Sequence, residues 1–135
     1  MFKAIQTSVS GLIASTTRLN VAASNIAGSQ VKSTPSADGT VPAGQVFNAG
    51  YTPRRVEQST TGTGGVRTTV VPVSPASLTV FDPASPLSNG EGFVNIPNVS
   101  LPAEIGELIK ASQTYKANAK VLKTLDDTFK SLLKI

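Results

Sequence analysis

Apolar positions at both ends of the chain follow a heptad pattern, and those in the middle do not. From the N-terminus, Phe2, Ile5, Val9, Leu12, Thr16, Leu19, Ala23 and Ile26 recur at alternating steps of three and four. Further on, Leu101, Ile105, Leu108, Ser112, Tyr115, Ala119 and Leu122 do the same. A stripe repeating every 3.5 residues keeps one helix face against a partner helix over many turns. The pattern predicts a helix over 3–27, about 37 Å long, with Gly28 as its stop. It predicts a second helix from Ser100, a suitable N-cap, to the last residues, with Pro102 and Glu104 in its first turn. The strict repeat fails at Asp126, and the stripe continues instead through Leu125, Phe129 and Leu132, as if three residues were inserted.

The middle reads differently. Residues 29–65 are rich in Ser, Thr, Gly and Pro. Ser33 to Gly39 reads as loop, and Thr60 to Gly65 as a flexible connection. Tyr51 to Gln58 reads as an edge strand, because Pro53 rules out a central position. Val66 to Val73, Ser77 to Phe81 and Phe93 to Ile96 read as short strands, with turn signals at Asp82-Pro83 and Asn89-Gly90. The fold class that follows is mainly α with a small β element. Long terminal helices pair as an antiparallel coiled coil around an irregular or β-strand middle. Residues 1–30 and 99–135 form the discontinuous helical unit, and 31–98 the insertion.

Composition strengthens the case for partners. Aromatic residues make up 5% of the chain and Trp is absent, against 11 Gly and 9 Pro, so material for a thick core is scarce. The first helix contains seven Ser, Thr and Asn residues between Thr7 and Asn20, together with Gly11, all mediocre or poor helix formers. Such a segment is largely unfolded alone and helical when packed. Gly11, Ala14, Ala22 and Ala23 permit close approach of a neighbour.

The chemistry available is narrow. The chain has no Cys and no His, which removes thiolate chemistry, the usual general base and the commonest metal ligand. Glu104 and Glu107 lie one turn apart, but nothing adjacent supplies a nucleophile or metal partner, and stabilisation of the helix start is the plainer role. The glycines from Gly62 to Gly65 lack the Lys-Ser/Thr of a phosphate loop. No catalytic, cofactor or metal site is expected.

The net charge of +4 sits on the terminal helices. Residues 1–30 carry Lys3 and Arg18 with no acid, and residues 101–135 carry six Lys against four acids. The spacing favours Glu107–Lys110, Lys123–Asp127 and Asp126–Lys130 pairs. A small basic nucleic-acid module remains open, though acids interleave the lysines and stacking aromatics are few. No run approaches the roughly 20 apolar residues of a membrane span, and no cleavable signal peptide is expected.

Two motifs add a resemblance. Ser10-Gly11-Leu12-Ile13-Ala14 followed by Leu19 to Ala27 resembles the N-terminal motif of the bacterial flagellar rod and hook axial proteins. Glu104 to Asn118 resembles that family's C-terminal motif. Asp82-Pro83-Ala84-Ser85-Pro86, followed by Gly92-Phe93-Val94 and Pro97-Asn98-Val99, is similar to a tract of its short proximal-rod subunits. Gly28 and Val31 stand where the family usually has Asn and Thr, and Ile105 or Leu108 where it commonly has Met.

The resemblance implies a structural subunit whose paired terminal helices stack into a tubular shaft around an export channel, with no cofactor. Implied partners are further copies, other rod proteins (FlgB-, FlgF- and FlgG-like), the rotor/MS-ring junction proteins and the flagellar type III export apparatus. It implies a place in the basal body, within the periplasm, reached without a cleaved signal, and neither nucleic-acid binding nor membrane insertion. The assembly residues expected are Ile5, Val9, Leu12, Leu19, Ala23, Asn25, Ile26, Ile105, Leu108, Tyr115, Asn118, Ala119, Leu122, Leu125, Phe129 and Leu132. Convergent helical ends in another secreted or phage-like tubular protein are the alternative.

Overall fold

A computed structural model of the chain describes residues 2–35, 50–62 and 64–134. Two long helices frame two β-hairpins. Helix α1 spans Phe2–Gly28 and helix α2 spans Leu101–Leu133. Between them lie strands β1 (Arg54–Thr60), β2 (Val66–Pro72), β3 (Ser77–Phe81) and β4 (Phe93–Pro97). The part of the expected 33–39 loop beyond Pro35 lies outside the described residues.

The helices run antiparallel. Asn25 meets Glu104, Arg18 meets Glu107, and Gly11 lies against Asn118. At about 1.5 Å per residue, α1 is about 40 Å long and α2 about 50 Å. Extending the same register leaves the turns of α2 after Asp127 beyond the start of α1.

Helix α2 starts without a side-chain cap. Ser100 occupies the N-cap position of α2, but its side chain makes no capping hydrogen bond. The backbone N–H of Glu104 donates to Ser100 O at 3.0 Å, and Pro102 in the first turn has no N–H to satisfy.

Strands β1 and β2 pair antiparallel, as do β3 and β4, each as a two-stranded sheet. The expected flexible connection at Thr60 to Gly65 is instead a tight hairpin turn. Gly64 N donates to Thr61 O at 2.9 Å and Thr61 N to Gly65 O at 3.1 Å. Gly64 and Gly65 have φ of 87° and 121°, where a side chain is disfavoured. Pro53 is buried just before β1, and its carbonyl accepts from Val73 N at 2.9 Å.

The first hairpin lies along α1. Ser10 Oγ accepts from Val66 N at 3.1 Å near one end, and Asn25 binds Arg54 near the other. Helix α1 is thus held between α2 and the hairpin, which is why Ala14, Ser15 and Ala22 are buried there. The second hairpin is tied to the exit of α1. Ser33 and Asn95 exchange backbone hydrogen bonds at 2.8 and 2.9 Å, and Lys32 pairs with Asp82 at 2.5 Å. Val94 is fully buried in β4, and Phe81 packs edge-to-face on Phe93 at 5.4 Å.

Candidate assembly interface

The seam between the helices is one residue out of phase with the large apolar stripe of α1. The inward row is Ser8, Gly11, Ser15, Arg18, Ala22 and Asn25, a strict three–four repeat of mostly small or polar residues. Small side chains let the two backbones approach closely. At Gly11 an added Cβ would stand 2.6 Å from Asn118 Nδ2.

On α2 the facing row is Glu104, Leu108, Ala111, Tyr115, Asn118, Leu122 and Leu125, with Ala111 buried. In this phase Phe129 and Leu132 follow at steps of four and three. The break expected at Asp126 is therefore absent: the row is continuous, and it is α1 that ends.

Asn25 is the junction of the molecule. It is 1% exposed. Its Nδ2 donates to Arg54 O at 2.7 Å and to Glu104 Oε1 at 2.9 Å. Its Oδ1 accepts from Tyr51 O–H at 2.8 Å and Arg54 N at 3.0 Å. One amide thereby joins α1, the strap leading into β1, and α2, with all four of its hydrogen-bonding positions used. The Tyr51 ring lies over Gly28, where any Cβ would come within 2.3 Å of it. Beside this junction, Arg18 reaches across to Glu107 at 3.1 Å. Being partly exposed, that pair contributes on the order of 0–1 kcal/mol.

The expected assembly residues divide by exposure. Asn25 is buried; Ile5, Leu12, Leu19, Ile26, Leu108, Asn118, Ala119, Leu122 and Leu125 are half-buried. Val9, Ala23, Ile105, Phe129 and Leu132 are exposed and outside the two-helix seam, and Tyr115, although on the facing row of α2, is exposed as well. The exposed row of α1 is Phe2, Gln6, Val9, Ile13, Thr16, Asn20, Ala23 and Ala27, which holds no charged residue over the length of the helix. Phe2 is 87% and Ile13 60% exposed.

Of the pairs expected along α2, Lys130 reaches Asp126 at 2.5 Å and Lys110 comes within 4.0 Å of Glu107. Lys123 and Asp127 form no ion pair among the described residues. The hydrogen bond and charge of Asp126 hold the Lys130 ammonium above its ordinary pKa. The sequence reading missed Tyr51 and the Arg18–Glu107 pair. Gly28 and Gly11, each beside a buried or half-buried polar partner, were the available signals. Among the described residues no helix is long and apolar enough to cross a membrane.

Comparison with known proteins gives this architecture a setting. The model for the C-terminal region of the flagellar basal body rod FlgEFG proteins matches residues 91–135, which hold β4 and α2. The chain is 40% identical to the flagellar basal-body rod protein FlgC of Yersinia enterocolitica, over 85% of this chain and 82% of that one. It is 38% identical to FlgC of Salmonella typhimurium, over 86% and 83% of the two chains. It is 32% identical to FlgC of Borreliella burgdorferi, over 100% and 97%. Identity at that level across most of both chains shows that the chain belongs to the FlgC family of flagellar basal-body rod proteins and is a structural subunit of the rod.

Proposed function

We propose that the chain polymerises through its terminal helices into the wall of the proximal rod, a tube that transmits torque and encloses an export channel. It does so without catalysis. The observation that supports this reading is the outward row of α1. A 27-residue helix with an uncharged exposed row and Phe2, Val9 and Ile13 upon it is a surface for other chains. On α2, Ile105, Tyr115, Phe129 and Leu132 add to that surface. The half-buried Ile5, Leu12, Leu19, Ile26, Leu108, Ala119, Leu122 and Leu125 stiffen the pair that presents it.

In this reading the discontinuous unit 1–30 with 99–135 is the polymerising part, and 31–98 braces it against neighbours. Other rod subunits (FlgB-, FlgF- and FlgG-like), the rotor junction and the flagellar type III export apparatus are its partners. The chain reaches the periplasm through that apparatus without a cleaved signal. Deletion tests the reading: a strain lacking this chain is expected to lose rods and swimming and to regain both on complementation. Normal rods in the deletion strain would defeat it.

A further inference from the structure

Between α1, the start of α2 and β1 lies an open cleft of about 250 Å³, floored by Val21, Ala22 and Val56. Its charges are nearly all matched. Arg18 pairs with Glu107, Arg55 with Glu57, and Glu104 accepts from Asn25. The exception is Arg54, whose guanidinium lines the cleft with no hydrogen bond or ion pair among the described residues. A guanidinium beside an apolar floor suits a carboxylate carried on an apolar segment.

The opposite end of the molecule carries such a segment. Among the described residues, the only carboxylates without a hydrogen bond or ion pair are Glu91 and Asp127. Asp127 lies where α2 begins to overrun α1. The overhang beyond it exposes Phe129, Leu132 and Leu133 by 37%, 53% and 86%. Arg54 and Asp127 therefore sit at opposite ends of the helical pair, the first beside the part-buried Val21 and Val56 of the cleft and the second beside the exposed apolar turns of the overhang, with Lys130 as its nearest charge. Contacts between two different patches run head to tail and do not close upon themselves unless rotation makes a ring.

We propose that the overhang of α2 from one copy docks at the cleft of the next, with Asp127 against Arg54. This rests on the assembly reading above. It adds the residue pair that sets the axial register between two copies of this chain.

Charge exchange in the full chain tests it. Arg54→Glu and Asp127→Arg are each expected to raise the concentration needed for self-association about tenfold in low salt, measured by sedimentation velocity. The double variant should recover most of that loss, because the pair is restored in reverse. Glu91→Arg should behave as the parent.

Indifference of the parent assembly to both single changes overturns the proposal, as does a double variant no better than the worse single. A parent that remains monomeric at all concentrations also overturns it. That result leaves the rod reading standing on the deletion strain, so the two failures are distinguishable. Urea unfolding of each variant separates loss of docking from loss of fold.

Discussion

Asn25 concentrates more consequence in one side chain than any other residue described. Removing its amide would leave the Tyr51 hydroxyl, the Arg54 N–H and carbonyl, and one Glu104 oxygen without their partner at a part-buried site. Unsatisfied buried groups cost about 1–3 kcal/mol each, less whatever water can reach after relaxation. Asn25→Ala is therefore expected to destabilise the isolated chain by about 3 kcal/mol in urea unfolding. Asn25→Asp has a distinguishing pH signature. Its carboxylate still accepts from Tyr51 and Arg54 but faces the Glu104 carboxylate and the Arg54 carbonyl with nothing to donate. Such a group has its folded-state pKa raised, so stability is regained as pH falls. The deficit against the parent should shrink between pH 7 and about pH 4. Two glycines make a matching contrast. At Gly28 a Cβ meets the Tyr51 ring, which the junction holds in place, so Gly28→Ala should cost about 1–3 kcal/mol. At Gly11 the Cβ meets only the end of Asn118, which can swing aside. A helix propensity gain of about 1 kcal/mol offsets that movement, so Gly11→Ala should be close to neutral in the same assay.

At the scale of elements, period was easier to read than phase. Both helices, the hairpin strands β2 and β3, and the start of β4 follow from heptads, β-branched runs and turn residues. The apolar stripe of α1 did not mark the seam, because hydrophobicity alone cannot say which partner a stripe is meant for. Leu12 and Leu19 lie half-buried beside the seam, and Val9 and Ile13 face away from it. The seam belongs to Ser8, Gly11, Ser15 and Ala22, whose smallness admits a close neighbour but whose composition resembles a weak helix face. Tyr51 was beyond reach of any local pattern, since its partners Asn25 and Gly28 come from another element. The apparent break at Asp126 came from choosing Ile105 and Ala119 over Glu104 and Asn118 as the facing row. The last turns of α2 are supported locally instead. Lys130 is held by Asp126, and because its pKa is raised, that support is present below the ordinary lysine range and lost as pH rises through the shifted value. In an NMR titration the Lys130 ammonium should titrate above the ordinary lysine value, and Asp126→Asn should lower its midpoint.

In the proposed rod wall, stability and assembly fall to opposite sides of the same helix. The inward row of α1 meets α2 and the hairpin beside it, and Asn25 closes that end with a complete set of hydrogen bonds. The outward row carries no charge and is exposed along its length. The N-terminal half of α1 has Gly11, many Ser and Thr, and hydroxyls such as Ser15, Thr16 and Thr17 bonded back to carbonyls four residues earlier, which does not strengthen a helix. Its order in a lone chain therefore depends on thin packing, and hydrogen exchange should be fastest there and slowest around Asn25. Neighbouring subunits would supply the missing cover at the moment of assembly, so a chain could remain pliable until it reaches its place. A change confined to the outward row should then separate the two sides. Ile13 is 60% exposed, so Ile13→Glu removes little from the lone chain, and its unfolding free energy should stay within about 0.5 kcal/mol of the parent. In the rod the same glutamate would be buried against an apolar neighbour without a partner, at a cost of several kcal/mol. The expected outcome is a normally folded monomer that fails to restore swimming in a deletion strain. Ile13→Leu, which keeps apolar volume, should restore it. A glutamate variant that swims as well as the parent would show that this face is not covered in the rod, and that subunits meet through α2 alone.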